Sequence, residues 1–168
     1  MCVPLLSLAL LATACSAVRE HRNLLQPVGG QLTASVGSSL FRLNKQRDLP
    51  NMWGGRDVTG GRVSRGFAEV KLVGIPGERK AEVLVFDVNA DNTETTLDRY
   101  FFGVGADVDV TQNVNFGDGS SERGIPVTVD LDVEASLVVS GVQITFVEVG
   151  QNSVVYTLKD LFSSTDKE

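Results

Sequence analysis

Histidine occurs once in the 168 residues, tryptophan once, and cysteine and methionine twice each, while aromatic residues make up 7% of the chain. The lone His21 excludes a histidine-based triad, and with so few cysteines no His/Cys zinc cage can be assembled. Paired carboxylates are abundant but carry no spacing that singles out a pair, so the inventory points away from an enzyme. Long hydrophobic runs are also missing: apart from residues 3–14, no stretch approaches the roughly 20 apolar residues a membrane-spanning helix needs. The net charge of −6 argues against nucleic acid as a partner, because phosphate binding asks for a concentrated positive surface.

Val3 to Ala14, VPLLSLALLATA, is an uncharged apolar stretch ending in small residues, the length and shape of a signal-peptide core with its cleavage site. Residues 1–14 are therefore expected to be removed on export, taking Cys2 with them. The mature chain then keeps a single sulfur, Cys15, at its extreme end, and no intramolecular disulfide can form. An exposed free thiol is a liability in an oxidising compartment, and acylation would remove it.

Ala12-Thr13-Ala14-Cys15 resembles the lipobox of bacterial lipoproteins, with Ala12 where the family prefers leucine and Leu11 one residue further back. The resemblance implies that Cys15 receives a thioether-linked lipid with acyl chains of the palmitate kind and becomes the new N-terminus. Each buried methylene contributes about 0.8 kcal/mol, so several chains on one residue hold a protein at a membrane. Ser16 stands where such proteins carry an inner-membrane retention aspartate, which implies the periplasmic face of the outer membrane. Ordinary cleavage after Ala14 or Ala17 would instead leave a soluble secreted protein. Asp48-Leu49-Pro50-Asn51, Gly66 to Ile75 and Glu94-Thr95-Thr96 look like pieces of small uncharacterised bacterial envelope lipoproteins, a similarity that brings location and no catalytic residues.

Residues 15–33 mix charges with Pro27-Val28-Gly29-Gly30 and read as a lipid-attachment site and flexible tether, leaving 34–168 as one β-rich domain. Within it, Ser39–Leu43, Gly66–Ile75, Ala81–Val88, Thr96–Val110, Ile125–Val133, Leu137–Val139, Val142–Val149 and Val154–Leu158 have the alternation or composition of strands. Ala81–Val88 is apolar on both faces and is the candidate central strand. Gly150 to Ser153 is a hairpin turn, and Leu158–Phe162 offers the one helical turn. About eight strands without interleaved helices predict an all-β, antiparallel β-sandwich, with a partly open β-barrel as the alternative. Residues 15–80 carry a balance of +6 and residues 81–168 one of −12, an asymmetry that pairing between strands of the two halves would offset.

Three segments could carry binding chemistry. Asp87, Asn89, Asp91 and Asp98 fall at positions 1, 3, 5 and 12 of an EF-hand-like calcium loop, although Asp98 stands where the longer glutamate belongs. The competing account is a polar turn whose side chains cap their own backbone. Residues 51–62 repeat Gly-Gly-Arg around Trp53, Arg56 and Arg62, where a sugar or an anion could stack and pair, or which could be a flexible connection. Asn113–Gly119 is a glycine-rich turn with Phe116 at its tip. The composite expectation is a lipid-anchored envelope protein with a binding or structural role and no prosthetic group, in contact with an envelope protein or glycan. A secreted sandwich that binds calcium or a glycan is the alternative.

Overall fold

A computed structural model describes residues 17–57, 59–101 and 124–162. The stretch read as a signal peptide, Cys15, the second half of the strand region expected over Thr96–Val110 and the turn expected over Asn113–Gly119 lie outside the described residues. Nine strands and one short helix follow in the order β1 (Glu20–Leu24), β2 (Gln31–Ser35), β3 (Ser39–Asp48), β4 (Arg62–Gly77), β5 (Lys80–Asn89), α1 (Thr96–Phe101), β6 (Ile125–Asp130), β7 (Ser136–Val139), β8 (Val142–Val149) and β9 (Ser153–Asp160). They form two antiparallel sheets, a five-stranded one ordered β1-β3-β4-β5-β6 and a four-stranded one ordered β2-β9-β8-β7, and neither closes into a barrel. No helix among the described residues is long and apolar enough to cross a membrane.

The sandwich follows from alternation. Leu43 on β3, Ala68, Val70 and Leu72 on β4, and Ala81 and Val83 on β5 turn inward from the first sheet; Val142, Ile144 and Phe146 on β8 and Val154, Tyr156 and Leu158 on β9 meet them from the second. Together they form one buried apolar cluster, centred on Leu40 and Phe41 and sealed by Ala34, Val129 and Val139. Tyr156 is nearly fully buried, and its hydroxyl donates to the Leu40 carbonyl at 2.6 Å, a bond between the sheets that satisfies the one polar atom of the ring. The expected Gly150–Ser153 turn closes the β8–β9 hairpin, with the Gly150 amide bonded to the Ser153 carbonyl at 2.8 Å.

Four expectations need correction. The stretch read as a tether supplies two strands: β1 pairs with β3 from Glu20↔Arg47 to Leu24↔Leu43, and β2 pairs with β9 from Gln31↔Thr157 to Ser35↔Ser153. Between them the chain passes from one sheet to the other, its Leu25 amide bonding Arg42 and its Gly29 amide bonding Leu158. β5 is an interior strand between β4 and β6, as expected, but it is not buried on both faces, since Leu84 and Phe86 are only half-buried on the outer one. Thr96–Phe101 is helical, and its sequence explains why. Thr95 and Asp98 form a reciprocal capping box, in which the Thr95 amide donates to Asp98 Oδ2 at 2.9 Å and the Asp98 amide to Thr95 Oγ1 at 3.4 Å. Leu158–Phe162 makes no helical turn, since Leu158 to Asp160 finish β9.

Candidate functional site

The inner faces of the two sheets part at one end of the sandwich. Beyond Leu43 the inward positions of β3 continue as Lys45 and Arg47, and beyond Leu24 the chain backs up to Arg22, which sits across from Lys45. In the same row stand Gly66 and Asn89. The β7–β8 turn, Ser140 and Gly141, and Phe162 after β9 face this row from the other sheet. The result is an open recess of about 510 Å³ lined by Glu20, His21, Arg22, Lys45, Arg65, Asn89, Ser140, Gly141 and Phe162.

A β-bulge shapes the recess. Pairing between β3 and β4 shifts between Lys45↔Gly66 and Gln46↔Ser64, leaving Arg65 as the extra residue. Gly66 accommodates the kink at φ +103°, and a Cβ there would lie far inside van der Waals contact with the Val88 carbonyl oxygen. Only glycine fits both conditions. The bulge aims Arg65 along the wall, where its Nη1 lies 3.5 Å from Asp91 Oδ1.

Each cation of the recess has an oxygen partner. Lys45 Nζ bonds Asp87 Oδ1, and Asn89 Oδ1 at 2.8 Å. Asp87 Oδ2 accepts from the Ser140 hydroxyl at 2.8 Å, a bond that joins the two sheets across the mouth. The Arg22 guanidinium packs 4.4 Å from the centre of the Phe162 ring, reaches Asp160 Oδ1 at 3.3 Å and donates to the Ser140 carbonyl.

Beside the recess lies a buried carboxylate hub. Asp48, 1% exposed, ends β3 and accepts from His21 Nε2 at 2.6 Å and from the Arg19 amide at 3.2 Å, with Arg56 Nε 3.5 Å away. The His21 hydrogen bond does most to hold the Asp48 pKa below the ordinary carboxylate value, helped by the Arg19 amide and the Arg56 charge and opposed by burial. A few residues on, Asp57 is also buried; the Thr59 hydroxyl, followed by the Gly61 amide, keeps its pKa low. Both carboxylates secure the 49–62 segment, which continues from β3 and returns to β4.

The described residues of that segment, 49–57 and 59–62, are tied down by hydrogen bonds rather than forming a loose connection. Asn51 organises its tip: its amide donates to the Gly55 carbonyl at 2.7 Å, and its Oδ1 accepts from the Trp53 amide at 3.0 Å and the Gly55 amide at 2.9 Å. Pro50 and Arg56 form a bridge at its base. The α1 helix buttresses the base, because the Thr96 amide bonds the Pro50 carbonyl at 2.9 Å, and Arg99 forks onto Glu94 at 2.8 and 3.0 Å while also bonding the Arg62 carbonyl. Trp53 stands 81% exposed at the tip, next to Met52.

The calcium ligand set does not converge. Asp87 and Asn89 hold Lys45, Asp91 faces Arg65, and Asp98 caps α1, where the Thr95 hydroxyl and amide keep its pKa low. Among the described residues no group of three or more His, Cys, Asp or Glu side chains could hold a metal ion. Of the proposed contact residues, Trp53 and Arg56 share one turn, while Arg62 begins β4 with its side chain exposed. Sequence reasoning missed Arg22, Lys45 and Asp48, since it ended β3 at Leu43, where the alternation turned polar. The glycine inside β4 was the available signal for the bulge. No protein-family model, curated protein or solved structure matches the chain.

Proposed function

We propose that the chain is a lipid-anchored cell-envelope protein, attached through Cys15 at the periplasmic face of the outer membrane, with a binding or structural role and no bond-breaking chemistry. The observation that carries this reading is the gathering of the open recess, the Asp48 hub and the ordered Trp53 turn at the same end of the sandwich, the end at which the chain emerges from its N-terminal segment. An anchored module works best when its contact surface and its attachment are rigidly related. The Arg19 amide bond to Asp48 and the β1–β3 pairing supply that relation.

A non-catalytic role accords with the side chains present. His21, the sole imidazole of the chain, directs Nε2 to Asp48, and the lysine of the recess is held by Asp87 and Asn89. An array of amide, hydroxyl, guanidinium and carboxylate groups beside one aromatic ring suits a hydroxyl-rich ligand such as an envelope glycan, or a polar segment of an envelope protein. Mass spectrometry of the mature protein from native membranes tests the reading. A chain beginning at Cys15 and carrying a thioether-linked diacylglyceryl group is expected. An unmodified Cys15, or a chain beginning at Val18, would overturn the anchor and leave a secreted ligand-binding sandwich.

A further inference from the structure

The turn at residues 51–56 spends its polar groups on itself. Asn51 Oδ1 takes two backbone amides and its Nδ2 reaches the Arg56 carbonyl at 3.4 Å, so the tip is stiff and its own hydrogen bonds are largely internal. What it offers outward is apolar: Trp53 at 81% exposure and Met52 at 59%. A sugar platform needs polar groups beside the ring to bond hydroxyls. Asn51, the amide side chain of the turn, is taken up by the turn's own backbone, so what stands beside the ring is apolar Met52 and the charge of Arg56 rather than a set of free hydroxyl-bonding amides. A tryptophan with an apolar neighbour on a rigid protrusion fits the headgroup level of a bilayer, where amphipathic rings sit with the N–H in the wet layer.

The charge around it agrees. Arg19, Arg56 and Arg62 are all exposed, while the nearest carboxylates of the segment, Asp48 and Asp57, are buried beneath it. Glu20 is the one exposed carboxylate beside these three arginines, which leaves a net positive rim of the kind anionic headgroups favour. Position agrees as well. The Arg19 backbone amide and the Arg56 guanidinium meet on Asp48, and Arg19 is four residues after Cys15, so an extended chain separates Arg19 from Cys15 by at most about 14 Å.

We propose that the Met52–Trp53 turn, flanked by Arg19, Arg56 and Arg62, inserts into the interfacial layer of an anionic bilayer and sets the orientation of the protein on it. The proposal rests on the anchoring reading for the nearness of the membrane, and it adds a second attachment signal to the acyl chains.

Trp53 is the only tryptophan in the sequence and therefore reports its own surroundings. The native protein, bound to vesicles of phosphatidylethanolamine and phosphatidylglycerol, is expected to show blue-shifted emission, protection from iodide and quenching by lipids brominated near the headgroup. The Cys15→Ser chain should keep weak, salt-sensitive binding to the same vesicles and not to phosphatidylcholine, and adding Trp53→Ala should lower its partitioning by about tenfold. Because Trp53 is exposed, that variant should melt like its parent. Lipidated protein bound to vesicles with Trp53 still emitting as in water and open to iodide would overturn the proposal and leave the anchor intact. A response to soluble envelope glycans with none to vesicles would overturn it too. Native protein with an unmodified Cys15 whose Trp53 nevertheless shifts on vesicles would refute the anchor and uphold the membrane contact.

Discussion

Along β3 the inner face carries Leu43 and, two residues on, Lys45; along β1 it carries Leu24 and Arg22. The first member of each pair packs on the sealed core and the second lines the recess. One set of strands thus builds two environments, a closed half held by Phe41, Val70, Val83 and Ile144, and a mouth held by ion pairs, a bulge and two buried carboxylates. The contrast teaches that alternation sets the face and residue chemistry alone sets where the core stops. A polar residue at an inward position need not be an error of folding when the opposing sheet has turned away.

The contrast can be broken first at its strong side. Phe41→Ala, in the fully buried centre, should cost about 4 kcal/mol in urea unfolding, because transfer and cavity terms add. A cost under about 1 kcal/mol would mean that the two sheets are not packed there. Gly66→Ala should follow at about 3 kcal/mol, since a side chain at φ +103° meets the Val88 carbonyl, and its backbone amides should exchange faster around the mouth than in the core. Thr95→Ala, which removes the cap of α1, should lower stability by about 1 kcal/mol and loosen the 49–62 segment. Lys45→Ala should cost less than that, within about 1 kcal/mol, as expected of an ion pair at an open rim rather than of a core residue.

Acid should separate the halves further. Asp48, Asp57 and Asp98 at the mouth end all have lowered pKa values, as does Asp130 beside Lys80 at the other end. A carboxylate whose pKa is lower folded than unfolded stabilises the fold above its unfolded value, and that contribution is lost as pH falls through the folded value. The urea midpoint should therefore hold steady near neutrality and fall below about pH 4, with hydrogen exchange accelerating at residues 48–61 before the β8–β9 hairpin. Asp48→Asn should lower the neutral-pH midpoint and flatten this dependence. An acid response confined to the core strands would contradict the assignment of these groups to the mouth.

Much of the fold was legible because Val, Ile and Phe alternate through β4, β5, β8 and β9, and the Gly150–Ser153 turn announced its hairpin. Strands β1 and β2 were hidden. Each sits at a sheet edge, EHRNL turns only Leu24 toward the core, and QLTAS turns only Leu32 and Ala34, so composition resembled a linker. The helix was hidden for another reason: Thr95-Thr96-Leu97-Asp98 is a capping box, yet Asp98 also fits the oxygen-ligand spacing of the loop before it. Trp53 could be singled out from its surroundings in sequence, but the internal bonding of Asn51 that presents it, and the pairing of the bulge that opens the recess, arise between residues far apart in the chain.

Hydrogen exchange on the native protein, with and without anionic vesicles, tests the central claim most directly, because it reads both ends at once. The account predicts that protection gained on the membrane falls on residues 17–22 and 51–57, while the β8–β9 turn at 150–153 and the β4–β5 turn at 77–80 are unchanged. Protection at those far turns, or none at residues 51–57 in membrane-bound protein, would contradict it.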